Sequence, residues 1–280
     1  MKLIANRYGK ARVRVMKVVR EGLIHNVKEV DVSALLTGDF ADAYTSSDNS
    51  KVVATDTIKN TVNVLAKEQL GDEIERFALS AGEHFMRRYE QVESATIEIT
   101  AKNWQRLQVG GEPHPHAFSA GSDARSWTRV VSTRSSSETQ SGIRGLVILK
   151  STGSGWKGYP KDEFTTLPET DDRILATSFD ATWTWSATPA NYNSANESII
   201  AAMLAVFANN YSSSAQASVY EMGRAALEAC PEIARVDMKM PNKHYLLVNL
   251  KPFARENHNE IFVPTDEPHG QIEGSVARDE

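Results

Sequence analysis

The chain has 280 residues, 41% hydrophobic and 24% charged, enough apolar material for one large domain or two ordinary ones and too much for a chain that stays disordered. Its 31 basic and 36 acidic residues leave a net charge of −5, which gives no sequence-wide footprint for nucleic acid or an anionic membrane. One cysteine, Cys230, excludes an intrachain disulfide and a cysteine-based four-ligand zinc site in the monomer, and it fits a reducing, cytoplasmic setting.

Arg12 to Arg20 (RVRVMKVVR) places Val13, Val15 and Val19 on one side and arginines on the other, as a half-buried strand does. Glu21-Gly22 supplies a turn and Val27, Val30 and Val32 resume the pattern over His25 to Leu36, which predicts an antiparallel hairpin. Thr57 to Leu70 is helical and closed by Gly71, and a second helix over Asp72 to Tyr89 follows from the spacing of Ile74, Phe77, Ala78, Ala81 and Phe85. Ala95 to Thr100 and Trp127 to Thr133 read as strands, separated by a loop rich in Gly, Pro and His from Gly110 to Ser122.

The second half repeats this order. Ile143 to Ser151 and Ile174 to Trp185 read as strands; Ile200, Met203, Leu204, Phe207 and Tyr211 mark one helix, and Val219, Met222, Gly223, Ala226 and Cys230 mark another. Arg235 to Met240 and His244 to Leu250 close the series as strands joined by a turn at PNKHY, Pro241 to Tyr245. The expectation is a duplicated α+β unit, domains 1–138 and 139–280, with the boundary in the polar stretch Thr133 to Gly142; the repeat lies in element order, without clear sequence identity between the halves. The longest apolar run, around Ile199 to Ala208, falls short of the roughly 20 residues that cross a bilayer. The N-terminus lacks a secretory apolar region, and the C-terminal ARDE is no receptor-read address.

Conventional catalytic motifs are absent: there is no G-x-S-x-G, P-loop, G-x-G-x-x-G or H-E-x-x-H. His114 and His116 in HPHAF are two possible metal ligands without a third nearby, and a loop with hydrogen-bonded imidazoles explains them as well. Cys230 sits on an apolar helix face and reads as a small core residue. Taken alone, PNKHY is a turn and Arg173 a surface arginine paired with Asp171 or Asp172. Thr55, in VVATDTIKNTV, is either the cap of the helix that follows or part of an anion site at the helix start.

Taken together, YGKARVRVMKVVR, LLTGDFADAYTSSDNSKVVATDTIKNTV, HPHAF, LKSTGSGWKGYPKDEFTTLPETDDRILAT, YEMGRA and MPNKHYLLVNL resemble the urate oxidase (uricase) family in order and spacing, from Tyr8 to about Glu273. The resemblance implies a tunnelling fold (T-fold) of two tandem ββααββ units with antiparallel sheets, four chains assembling around a central tunnel. It implies oxidation of urate by O2 and water to 5-hydroxyisourate with release of H2O2, using no metal and no organic cofactor. Partners would then be urate, O2 and further copies of the chain, with no nucleic acid and no membrane, in the cytoplasm.

Carried over by motif, the resemblance implies that Lys10, Thr55 and His244 would form the proton relay. A lysine serves as a base only when burial or a neighbouring cation favours its neutral form, and Arg173 in the same pocket would push that way. Arg173 and Gln216 would grip opposite edges of the purine, Asp56 would contact it through its backbone N–H, and Asn242 would hold O2 or water above the ring. Thr55 and Asp56 would come from the neighbouring subunit.

Two positions depart from the family: Trp156 stands where a phenylalanine usually stacks on the ring, and Ala215 where a bulkier aliphatic residue is common. If a larger plate beside a smaller neighbour is a volume exchange, Trp156→Phe with Ala215→Val restores activity better than either change alone, and plain additivity contradicts it. The competing readings are a urate-binding or structural tunnel protein without turnover, and a pterin-directed relative on the same fold, which would need a zinc site that the sparse histidines fit poorly.

Overall fold

A computed structural model of the chain describes Met1 to Asp279. In chain order the elements are β1 (Tyr8–Glu21), β2 (Ile24–Gly38), α1 (Ala41–Thr45), α2 (Thr55–Gln69), α3 (Ile74–Arg88), β3 (Val92–Val109), β4 (Glu112–Ser132), β5 (Ser137–Lys150), β6 (Leu175–Trp185), α4 (Tyr192–Asn209), α5 (Ala215–Ala229), β7 (Ile233–Leu247) and β8 (Phe262–Ala277). With the short α1 and a 3-10 turn at Lys251–Phe253 set aside, this is ββααββ twice, the tandem α+β order expected. Among the described residues no helix is long and apolar enough to cross a membrane.

One compact unit consists of Met1–Arg144 and Trp183–Asn196. Within it β1, β2, β3, β4 and the opening of β5 pair antiparallel in chain order. Alternation along β2 sends Val30, Val32, Ala34 and Leu36 to one face, all at most 2% exposed. That face packs on Ile58, Val62 and Leu65 of α2 and on Phe77, Ala81 and Phe85 of α3, which recur at helical spacing. Fully burying one such side chain is worth about 1.5–3 kcal/mol, so the helices are held down by this stripe rather than by their caps. At the centre sits a buried carboxylate: Glu75 Oε1 accepts from Ser141 Oγ at 2.6 Å and Asn196 Nδ2 at 2.9 Å, which ties α3 to β5 and to the start of α4.

The other unit consists of Gly145–Thr182 and Glu197–Glu280. Here α5 lies directly on the β7–β8 pair, because two glycines let the surfaces meet: a Cβ on Gly223 would stand 2.6 Å from Val276 Cγ2, and one on Gly274 2.7 Å from Val219 Cγ1. Arg278 closes the C-terminal end of α5 by donating to the carbonyls of Leu227, Cys230 and Ile233. Cys230 is buried and free, a core residue as expected, although it stands just past the end of α5 and not on the helix.

The structure corrects several expectations. The stretch from Gly110 to Ser122 is no loop; apart from the turn glycines it belongs to β4, whose outer end pairs with β3 through Arg106↔Phe118 and Val109↔Glu112. The polar stretch from Thr133 to Gly142 is a tight turn followed by strand. Ser132 pairs with Ser137, Thr133 to Ser136 make a turn, and the rest runs as β5 against β4, which is why residues up to Arg144 pack with the first unit. PNKHY is not a turn: Pro241 to Tyr245 lies inside one continuous β7, and its partner is β8, which had no place in the expected order. The prolines and polar residues of ENHNEIFVPTDEPHG hide that strand, and β8, last in strand order, tolerates them because an outer edge needs no donor at every residue. Finally, Tyr211 lies beyond the end of α4.

Candidate active site

The candidate residues fall into two groups, one in each unit. In the first, Lys10 stands on β1 opposite Ala34, just before a shift of register that runs to Val13. Thr55 and Asp56 open α2, and the strand is tied to the segment before that helix: the Val53 N–H donates to the Tyr8 hydroxyl at 2.7 Å, and the Tyr8 ring meets Phe40 edge-on at 4.8 Å. The N-cap is Ala54, so Thr55 is not the cap, and its hydroxyl is not spent on the helix's own N–H groups. Asp56 is exposed; the ammonium of Lys59 holds its carboxyl below the usual carboxylate range, with a smaller contribution from Lys10. Lys10, Thr55 and Asp56 thus share one end of α2, where free N–H groups and the positive end of the helix favour an anion.

In the second unit a cavity of about 630 Å³ is lined by Trp156, Arg173, Asn242 and His244 among others. Local backbone pairing builds it. The Trp156 N–H donates to Thr170 at 2.8 Å, the Thr170 N–H returns a bond at 3.1 Å, and the Arg173 N–H donates to Ser154 at 2.8 Å. Gly155 allows this close approach, because a Cβ there would stand 2.1 Å from the Tyr211 hydroxyl. Tyr159, which does not line the cavity, stacks on Trp156 with ring centroids 5.4 Å apart and planes 12° from parallel. Its hydroxyl donates to the carbonyl of Leu167. One face of the indole is therefore backed by an aromatic ring, and the residue itself lines the cavity.

Arg173 is not the surface ion pair that its neighbours suggest. Asp171 pairs with Lys157, and Asp172 accepts from the Thr152 hydroxyl at 2.8 Å and the Gly153 N–H at 3.1 Å. Its guanidinium carbon stands 5.8 Å from the Trp156 ring centre, and its Nε–H is buried without an acceptor. Burial also lowers its proton affinity below the ordinary arginine value. A buried donor left unmade costs about 1–3 kcal/mol, which an acceptor brought by a ligand would recover.

Asn242 and His244, two residues apart on β7, share one face of that strand. Opposite them the register jumps from Gly270 to Thr265, so β8 carries extra residues there while β7 stays regular. Ala215 and Gln216 open α5, Ala215 buried and Gln216 exposed, outside the cavity lining. They connect to it through Ser212, whose carbonyl accepts from the Gly155 N–H and whose N–H donates to Gly153. Sequence reasoning missed Asn259, Glu260 and Phe262, which line the cavity from the approach to β8 and offered no period or motif.

His114 and His116 lie on β4 with ring centroids 4.7 Å apart, and His25 is 5.7 Å from His116. Among the described residues no group of three or more His, Cys, Asp or Glu is arranged to hold a metal ion.

The uricase family model matches residues 6–130 and 139–273. The chain is 41% identical over 276 residues to the uricase of Arthrobacter globiformis, covering 98% of this chain and 89% of that one. It is 39% identical over 293 residues to the uricase of Arabidopsis thaliana, covering 97% and 94%. The crystal structure of the Arthrobacter globiformis uricase matches with a TM-score of 0.95 at 39% identity, over 100% of this chain and 96% of that one. A hyperthermostable mutant of Bacillus sp. TB-90 urate oxidase shares the fold at a TM-score of 0.86 and 22% identity, over 98% and 99% of the two chains. By sequence over nearly its whole length and by fold, the chain belongs to the uricase family.

Proposed function

We propose that this member of the uricase family oxidises urate with O2 and water to 5-hydroxyisourate, releasing H2O2, in purine catabolism and with no metal or organic cofactor. The carrying observation is the buried Nε–H of Arg173, without an acceptor and beside Trp156 in a cavity that also holds Asn242 and His244. Urate is flat, anionic and edged with carbonyl and ring-nitrogen acceptors, so it supplies what the arginine lacks and fits a stacking plate. Gln216 presents an amide donor and acceptor to the opposite edge.

The reaction balances without another reactant. Urate loses two electrons and two protons, O2 takes both to become H2O2, and water adds across the oxidised ring to leave a hydroxyl at C5. The protein's task is to move protons and hold the reactants. Lys10 takes the proton that makes urate electron-rich, Thr55 passes it through its hydroxyl, and His244 completes the relay. Asn242 holds O2 and then water over the ring, and the Asp56 backbone N–H contacts the substrate.

The proposal extends to a homotetramer in which Thr55 and Asp56 of one subunit complete the pocket of another. Exposed apolar side chains at the cavity rim, Leu246 at 57% and Leu247 at 49%, support a covering partner. A cytoplasmic setting is part of the same proposal, supported by the free buried Cys230.

The test is EDTA-treated protein mixed with urate, with urate absorbance, O2 uptake and peroxide followed together. The expected result is one O2 consumed and one H2O2 released per urate, lost in Lys10→Met and Thr55→Ala. Urate bound with O2 untouched would make the site a binding pocket only.

A further inference from the structure

Along β1, Val13 and Val15 stand opposite Val32 and Val30, both buried on the face that α2 and α3 cover. A regular strand alternates faces, so Lys10, three residues before Val13, would share the open face with Arg14. It does not. Between Lys10 and Val13 the chain takes three steps while β2 takes two, from Ala34 to Val32, so β1 carries one extra residue. Lys10 therefore stands opposite Ala34, which is 0% exposed, and two residues earlier Tyr8 packs on the core from the same face.

The irregularity is built rather than accidental. Arg12 has φ of 57°, in the left-handed region that non-glycine residues avoid. Its N–H, taken out of the ladder by the bulge, donates to the Ser33 hydroxyl at 3.4 Å, and its guanidinium reaches Asp31 at 3.7 Å. Gly9 carries the close approach beside it: a Cβ there would lie 2.0 Å from the Ala34 carbonyl oxygen.

We propose that this one-residue bulge is the device that turns Lys10 to the helix-covered face of the sheet, beside the start of α2, and that it acts through the left-handed backbone at position 12 and not through the Arg12 side chain. The inference rests on the proposed function for the role of Lys10, but the placement of the side chain can be read independently of turnover. Near Asp56 the lysine can exchange a proton with the residues that open α2; on the open face it cannot reach them.

The experiment compares wild type, Arg12→Gly, Arg12→Val, deletion of Arg12 and Lys10→Met. Two readouts are taken: the rate of acylation of Lys10 by an amine reagent, located by mass spectrometry, and the split of urate turnover into kcat and KM. Glycine accepts the left-handed conformation, so Arg12→Gly keeps the labelling rate and kcat within about twofold of wild type. Deleting Arg12 gives an ordinary ladder with Lys10 still opposite Ala34, and it does the same. A β-branched valine resists that conformation, so Arg12→Val exposes Lys10 to labelling and lowers kcat about tenfold with KM held.

Unchanged labelling in Arg12→Val overturns the proposal, as does loss of kcat on deleting Arg12 from a chain that still folds. Full turnover in Lys10→Met overturns the proposed function instead, while the labelling still decides where the bulge sends the side chain.

Discussion

Both strand pairs that carry candidate chemistry shift register at that point, yet the extra residues fall on different members of the pair. At Lys10 the extra residue is on the functional strand, β1; at Asn242 and His244 it is on the partner, β8, where the register jumps from Gly270 to Thr265 while β7 advances by two. An odd insertion in a strand exchanges faces for everything beyond it, whereas an insertion in the partner leaves the functional strand's phase alone and makes room beside it. The first bulge therefore aims a side chain, and the second shapes the space into which two correctly phased side chains already point.

This contrast can be broken or sharpened by substitution. The largest effect belongs to the aimed residue itself: Lys10→Met should cut kcat by about 10²–10⁴ with the midpoint of thermal unfolding unchanged, since a half-exposed side chain on the sheet contributes chemistry rather than packing. Next comes the backbone that carries the bulge. Gly9→Ala would place a Cβ 2.0 Å from the Ala34 carbonyl oxygen, a clash with backbone that no rotamer relieves. It should lower stability in urea unfolding by about 2–4 kcal/mol, and an unchanged midpoint would mean that the two strands part freely there.

Smaller effects are expected on the second unit's side. Tyr159→Phe keeps the ring behind Trp156 and loses only the bond to Leu167, about 1 kcal/mol, which should raise KM for urate a few-fold and leave kcat alone. A fall in kcat with KM unchanged would assign Tyr159 to the chemistry instead. The least change should follow Lys243→Met. Its ion pair with Asp266, 2.6 Å long in the widened part of β8, is three-quarters exposed on the aspartate side, so the loss is at most about 1 kcal/mol and shrinks further in salt. A larger loss would show that the β8 insertion is held by that pair.

How much of this was legible in the residues follows from the same physics. The hairpin of β1 and β2 could be read because Val13, Val30 and Val32 keep a strict period over many residues, and α2 and α3 because their apolar spacing is helical. The face occupied by Lys10 could not be read, since a period of two extrapolated back from Val13 puts the lysine on the wrong side. In β7, Pro241 and the polar residues that follow look like a turn, and only pairing with a strand itself hidden by Pro264 and Pro268 keeps them extended. Arg173 read as an ordinary surface ion pair until the partners of Asp171 and Asp172 were visible. Composition says nothing about which of several adjacent charges is left with an unmet donor. The family resemblance supplies the residues as a set, while where they stand follows from register, burial and bulges that it does not give.

The division of labour between the two regions is tested most directly by urate binding measured calorimetrically in the absence of O2, on wild type, Lys10→Met and Arg173→Gln. The account predicts that Lys10→Met binds urate within a few-fold of wild type yet consumes no O2 when air is admitted, and that Arg173→Gln loses about a hundredfold in affinity, the value of charge-assisted bonds to a buried site. Loss of binding in Lys10→Met, or wild-type binding in Arg173→Gln, would contradict it.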